Sequence, residues 1–459
     1  MNTRISKDTL GEVQIPEHAY YDAQTQRAVH NFPISGLRLP RGFIRAQGII
    51  KASAAVANMG VGMLSEKIGK AIVFAAEEVA DGKWDEQFVV DVYQAGAGTS
   101  QNMNANEVIA NRANELLGRK KGDFSLVHPN DHVNMGQSTN DTIHVAINIS
   151  GFAAVKEKLL PALHHLTEAL RKKADEFYPI VKAGRTHLQD AVPIRLGQEF
   201  SGYADTLRMC DANIRLHAHS LLSIGLGGNA VGTGINTHPQ YAERAINEIA
   251  LRTGYPFKAP KNRFAFMQNT QAAVQVSYTL KELAIHLIKI SSDMRLLSSG
   301  PRTGLAELRL PAVQPGSSIM PGKVNPVIPE MLYMVCSQVI GNDAAITTAA
   351  IGSQLEINVM MPVIAYNLLH SIEILSNAMH VFTERCVEGL TADEERCRYY
   401  AEHSLALATS LNPEIGYEQA AKLAKTAYQE GKTIAEVAKR DTTIEPEKIE
   451  KLLDPAYHV

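Results

Sequence analysis

Apolar residues recur three and four positions apart over long stretches of this chain. Leu196, Phe200, Tyr203, Leu207, Cys210, Ile214, His217 and Leu221 form one such row. Val276, Leu280, Leu283, Leu287, Ile290, Met294 and Leu297 form a second, and Ile364, Leu368, Ile372, Leu375, Met379 and Phe382 a third. A period of about 3.5 residues held over several turns is the seam of bundled helices. The pattern predicts a mainly α fold, with long helices from Gly151 to about Gly300 and again beyond Pro326. Helices of about 30 residues are roughly 45 Å long. One chain shields so long an apolar bundle poorly, so self-association is expected, with several subunits sharing one core. His217 lies on a seam and reads as a packed core histidine rather than a ligand.

The flanks differ. Residues 1–40 look irregular, punctuated by Pro16, Pro33 and Pro40. Helical spacing takes over from Phe43 to Ala80 and breaks at the Gly-rich run around Gly96 and Gly98. A polar helix follows from Asn102 to Leu117, with Asn102, Asn104, Asn106 and Asn111 on it. Asparagine is a poor helix former, so such a face is either a buried polar network or a tolerant solvent face. After residue 391 the elements become shorter and more charged. Thr391-Ala392-Asp393-Glu394 reads as a helix start with its N-cap, and Gly416-Tyr417-Glu418 opens a further helix. The division expected is an N-terminal, mostly helical domain (1–138), a central long-helix bundle (139–391) and a small helical C-terminal domain (392–459).

Composition narrows the field. The 459 residues carry a net charge of −3, which implies no basic face for nucleic acid. Cys210, Cys336, Cys386 and Cys397 are scattered and fit neither a zinc spacing nor a disulfide framework, which suits a reducing, cytoplasmic setting. The first residues lack the apolar core of a signal peptide, and no apolar run is long enough to span a membrane. No acidic cluster marks a metal site.

Candidate chemistry concentrates in Gly316-Ser317-Ser318-Ile319-Met320-Pro321-Gly322-Lys323-Val324-Asn325-Pro326. Its glycines and prolines exclude regular structure, yet it carries hydroxyls, an ammonium and a carboxamide. Three other polar stretches fall at the ends of expected helices: Gly98-Thr99-Ser100, Gln137-Ser138-Thr139-Asn140-Asp141 and Gly184-Arg185-Thr186-His187-Leu188-Gln189-Asp190. Taken singly each reads as a cap. Together with the loop they describe a pocket for a small dianion, since helix N-termini suit carboxylates. No Gly-x-x-x-x-Gly-Lys-Ser/Thr run marks a phosphate cradle.

The Gly316–Pro326 loop, with Gly98-Thr99-Ser100, Ser138-Thr139-Asn140 and Thr186-His187 in order, closely resembles the aspartase/fumarase superfamily, and the resemblance spans essentially the whole chain. It implies three largely helical domains and a tetramer whose central bundles form a twenty-helix core, each active site drawing on three subunits. The implied reaction is anti elimination across the C2–C3 bond of a succinyl group, releasing fumarate through an aci-carboxylate intermediate. By resemblance Ser317 is the base, His187 stands by the leaving group with Thr99 and Asn140, and Glu330 orients His187 from another subunit. Lys323 and Asn325 resemble ligands of one substrate carboxylate, and Ser318, Ser138 and Thr139 ligands of the carboxylate that becomes the dianion. Thr186 belongs to the same substrate region. No cofactor is implied, although some members are activated by a divalent cation such as Mg.

Ser138-Thr139-Asn140, Gln189 to Pro193, Pro326 to Glu330 and Val339 to Asp343 resemble the family's L-aspartate ammonia-lyases. His128-Pro129-Asn130-Asp131, which resembles a peripheral anion site, Gly197 to Tyr203 and Gly227-Gly228 resemble its class II fumarate hydratases. The expectation is an ammonia-lyase, with the hydratase as alternative and a silent helical scaffold, as in lens crystallins of this superfamily, a lesser one. Thr142-Ile143-His144-Val145, Asn229 and Met361 depart from the pattern usual in relatives.

Overall fold

The computed structural model describes residues 2–459. In chain order it holds β1 (Thr3–Asp8), β2 (Gly11–Pro16), α1 (Ala23–Asn31), α2 (Arg41–Gly60), α3 (Glu66–Ala80), α4 (Thr99–Leu116), α5 (Thr139–Ala154) and α6 (Leu160–Glu176). Then come β3 (Val181–Thr186), β4 (Gln189–Arg195), α7 (Leu196–Ala218), α8 (Tyr241–Thr253), α9 (Arg263–Gln268) and α10 (Gln271–Leu297). The rest is β5 (Leu308–Arg309), α11 (Val327–Ile351), α12 (Met361–Phe382), β6 (Thr391–Ala392), α13 (Glu394–His403), α14 (Asn412–Ile415), α15 (Tyr417–Glu430), α16 (Ile434–Asp441) and α17 (Pro446–Leu453). The mainly α expectation holds. Among the described residues no helix is long and apolar enough to cross a membrane.

The chain divides into two compact units. The first comprises Met1–Pro161, Ala212–Ala284 and Ser337–Leu375; the second comprises Ala162–Asp211, Ile285–Cys336 and Ser376–Val459.

In the first unit α2 packs on α3, α5 and α8. The approach to α3 is close: a Cβ on Gly48 would lie 2.6 Å from the Ala76 carbonyl oxygen. Ile44, Ala52, Ile72, Ala75, Val108 and Ile109 fill the core between α2, α3 and α4. The asparagines of α4 prove to be a buried network, not a solvent face. Their amides stand in for peptide groups. Asn104 accepts from the Val89 N–H and donates to the Gln87 carbonyl. Asn111 ties in Gly122 and Tyr20. Helix α4 thus anchors irregular backbone whose polar groups would otherwise be buried unpaired.

In the second unit the antiparallel hairpin β3–β4 stands between α6 and α7. Lys182 and Arg185 on β3 both reach the fully buried Glu307, at 3.3 and 2.9 Å. A separate core of Leu407, Leu411, Leu423, Ile434, Val437, Ile449 and Leu453 closes the C-terminal helices. Asp393 caps α13 and Gly416 precedes α15, as the sequence predicted.

All three apolar rows are buried apart from His217. That residue, near the end of α7, is only half-buried within one chain. Residues 1–40 are not irregular: β1 and β2 pair as a hairpin, and α1 starts from an Asp22 N-cap. The prolines fall at a strand end and beyond the helix, where they disrupt nothing. The stretch 181–195 is likewise a hairpin, not helix.

Candidate active site

The first unit supplies two helix N-termini. Gly98 caps α4 with φ +84°, and a Cβ there would lie 2.9 Å from Ile143 of α5, so the two helix entrances meet closely. Thr99 is exposed at the first position of α4. Helix α5 opens with a capping box: the Ser138 hydroxyl accepts from the Asn140 N–H at 3.1 Å, and the Asp141 carboxylate accepts from the Ser138 N–H at 3.0 Å. The other Asp141 oxygen accepts from the Gly227 and Asn229 N–H groups at 3.0 and 2.8 Å. Burial pushes the Asp141 carboxyl up to about 6, against the pull of these backbone donors.

Asn229 sits at φ +57°, a left-handed conformation that asparagine tolerates and a β-branched residue does not. Asn140 donates through Nδ2 to the Ala230 carbonyl at 2.8 Å, so its Oδ1 is the end left to meet a ligand.

Beneath this segment lies Lys51, which is 1% exposed. Its ammonium donates to Asn102 Oδ1 (2.8 Å), Asn134 Oδ1 (3.0 Å) and Gln137 Oε1 (3.0 Å). Burial draws its pKa down to about 7, with the Asp141 carboxylate acting in the opposite sense. Sequence reasoning missed Lys51. The available signal was a lone charge in the otherwise uncharged run Gln47–Met59 of a helix rich in alanine and isoleucine.

The second unit carries the remaining candidates. The tip of β3–β4 turns through His187 (φ +53°) and Leu188 (φ +65°), leaving Thr186 and His187 exposed. The Gly316–Pro326 loop closes on itself. The Gly316 N–H donates to the Lys323 carbonyl, and Asn325 Nδ2 donates to the Gly316 carbonyl, both at 2.8 Å. A Cβ on Gly316 would lie 2.6 Å from the Asn325 nitrogen, so this closure needs glycine. The Ser317 hydroxyl oxygen accepts from the backbone N–H groups of Ile319 (3.2 Å) and Met320 (3.0 Å). Ser318 and Lys323 are exposed, Ser317 and Asn325 partly so. Ile319 is 83% exposed at the loop tip.

Glu330 lies in the first turn of α11, and among the described residues no hydrogen bond joins it to His187 within one chain. The turn around His128 is bonded within itself: the Asp131 N–H donates to His128 Nδ1 at 3.2 Å. The candidates therefore fall in two sets, residues 99 and 138–140 in the first unit and residues 186–187, 317–318, 323, 325 and 330 in the second.

A family described as "Lyase" matches residues 11–341, and one described as "Fumarase C C-terminus" matches residues 407–457. The chain belongs to the aspartase/fumarase superfamily. It is 49% identical to an aspartate ammonia-lyase from a Bacillus species, over 99% of this chain and 97% of that protein. It is also 49% identical to a class II fumarate hydratase from Thermosynechococcus vestitus, over 95% and 94% of the two chains. Among solved structures, a Brucella melitensis "fumarate lyase:delta crystallin" bound to cobalt superposes with a TM-score of 0.95 at 49% identity, covering 99% of each chain. The class II fumarase of Schistosoma mansoni superposes with a TM-score of 0.96 at 40% identity, covering 99% of this chain and 98% of that one. The mainly α fold is thus the superfamily's own, and the chemistry is that of a lyase.

Proposed function

We propose that this lyase takes a small dicarboxylate and is an aspartate ammonia-lyase, converting L-aspartate reversibly to fumarate and ammonia. In this reading Ser317, as an oxyanion, removes a proton from C3. The electron pair moves into the adjacent carboxylate, giving a doubly charged aci-carboxylate. That pair then re-forms as the C2–C3 double bond, and the amine leaves C2 as ammonia. A free serine is far too weak an acid for this role. Two backbone N–H groups on the Ser317 oxygen are the local support an oxyanion needs. Ser318, Ser138 and Thr139 would hold the developing dianion, and Lys323 and Asn325 the other carboxylate. Thr186 and His187, with Glu330 from another subunit, would line the site near Thr99 and Asn140.

The observation that carries the choice of substrate is the Asn140 carboxamide. With Nδ2 engaged by Ala230, it offers an acceptor oxygen. An ammonium group has only donors to give and needs an acceptor, whereas the hydroxyl of L-malate can either give or accept, so the acceptor suits the ammonium without refusing the hydroxyl. Ammonia also leaves an ammonium-bearing carbon without needing a proton, whereas hydroxide needs an acid. Equal 49% identity to a class II fumarate hydratase supports the alternative, interconversion of L-malate and fumarate.

The assay is fumarate absorbance with L-aspartate and, separately, with L-malate. Fumarate from aspartate alone is expected; fumarate from malate alone replaces this reading with the hydratase. No fumarate from either returns the scaffold reading. A homotetramer with a twenty-helix core, three domains divided near residues 138 and 391, a cytoplasmic setting and activation by a divalent cation without a required cofactor complete the proposal.

A further inference from the structure

Among the described residues Lys51 hydrogen-bonds to none of the candidate substrate ligands, yet a single residue, Asn102, stands between it and one of them. Its ammonium can only donate. The oxygen of Asn102 must therefore face it, at 2.8 Å. The amide nitrogen of Asn102 is thereby turned away from Lys51. It donates to the Thr139 hydroxyl oxygen at 3.1 Å and to Asn134 Oδ1 at 3.2 Å. Asn134 and Gln137, which also accept from Lys51, hold the turn leading into α5. A hydroxyl has one hydrogen to give. Because Asn102 fills an acceptor position on Thr139, that hydrogen is free to point outward from the helix N-terminus. Were the amide reversed, its oxygen would take the hydrogen instead.

We propose that Lys51 is a positioning residue for the substrate carboxylate: it fixes the Asn102 carboxamide so that Thr139 presents its hydroxyl as a donor. The proposal rests on the reading of Thr139 as a carboxylate ligand. A buried ammonium suits the task better than a neutral donor, since charge-assisted hydrogen bonds are about twice as strong. Asn102 is itself 1% exposed, so water cannot re-form the contact when Lys51 is lost.

The test measures inhibition by succinate, a dicarboxylate that cannot eliminate, in the full-length enzyme. Thr139→Val is expected to raise the inhibition constant about tenfold, and Lys51→Met by a similar factor. The double variant is expected to bind within about twofold of Thr139→Val, because the two changes break one chain of contacts. A double effect near a hundredfold, the product of the singles, overturns the role of Lys51 while leaving Thr139 a ligand. Wild-type inhibition in Thr139→Val removes Thr139 as a ligand and the proposal with it.

Asn102→Asp covers the case in which Lys51→Met fails to fold. The carboxylate keeps the size of the amide and pairs with Lys51, but it offers Thr139 only an acceptor. Thr139 then gives its hydrogen inward, and succinate binding is expected to weaken about tenfold. Unchanged binding in this variant overturns the proposal.

Discussion

The Ser138–Asn140 segment and the Gly316–Pro326 loop carry similar side chains and are built in opposite ways. The first rests on buried charge. Asp141, fully buried, accepts three backbone N–H bonds, and Lys51 donates three hydrogen bonds beneath it. The second bonds mainly to itself, with its tip in solvent. A segment fixed from below can hold an anion without reorganising. A loop whose few bonds are internal can move as a unit, which suits a group that must approach a bound substrate and exclude water. Under the proposed function the fixed segment is the half that only binds, and the loop is the reacting half, which carries the base beside further carboxylate ligands.

If that contrast is right, the largest effect on turnover comes from the loop and leaves stability untouched. Ser317→Ala is expected to lower kcat by at least about a thousandfold. Thermal midpoint and the mass found by light scattering should match the wild type, since among the described residues the Ser317 hydroxyl bonds only to Ile319 and Met320 of its own loop. Activity within tenfold of wild type would mean that the loop is not the reacting half.

The two halves also differed in legibility. The loop announced itself because glycine, proline and polar residues crowd into a stretch between apolar helices. The helix seams were equally plain, and all but His217 of their residues are buried. The support under Ser138–Asn140 was hidden. Lys51 lies 87 residues before Ser138 in sequence, and a lysine on a helix is ordinarily a solvated one. The β3–β4 hairpin was missed for a related reason. Its strands alternate weakly, and the charges that hold its first strand, Lys182 and Arg185, pair with the distant Glu307. Periodicity reports apolar packing; it is silent on long-range polar contacts. The asparagines of α4 were ambiguous for the same cause, since their partners are backbone groups of remote loops.

The fixed segment should fail in the other sense, through stability. Asp141→Asn keeps the shape but replaces one acceptor oxygen by an amine. At least one of the N–H groups of Ser138, Gly227 and Asn229 then faces another donor in a buried site. The expected cost is about 3 kcal/mol of unfolding free energy, read from denaturant midpoints. A loss below about 1 kcal/mol would show that Asp141 is not what holds the segment.

The smallest effect is a matter of pH and comes from His144, on α5 just beyond this segment. It is 4% exposed, its Nε2 has no hydrogen-bond partner among the described residues, and its ring lies 5.3 Å from that of Phe266. Burial draws its pKa from 6.5 down to about 4. Above pH 6.5 the imidazole is neutral in both folded and unfolded chains and contributes no pH dependence. Below that, the unfolded chain takes up a proton that the folded one refuses, so stability falls as pH drops toward 4. One pH unit in this window corresponds to about 1.4 kcal/mol, so roughly 2 kcal/mol should be lost between pH 6.5 and 5. Carboxylates titrate nearby, so the test is a difference. His144→Leu should lose less stability than wild type over that interval, by about the same roughly 2 kcal/mol. Parallel pH profiles would mean that His144 is charged and partnered in the folded enzyme, and that the α5 scaffold is more polar than its packing implies.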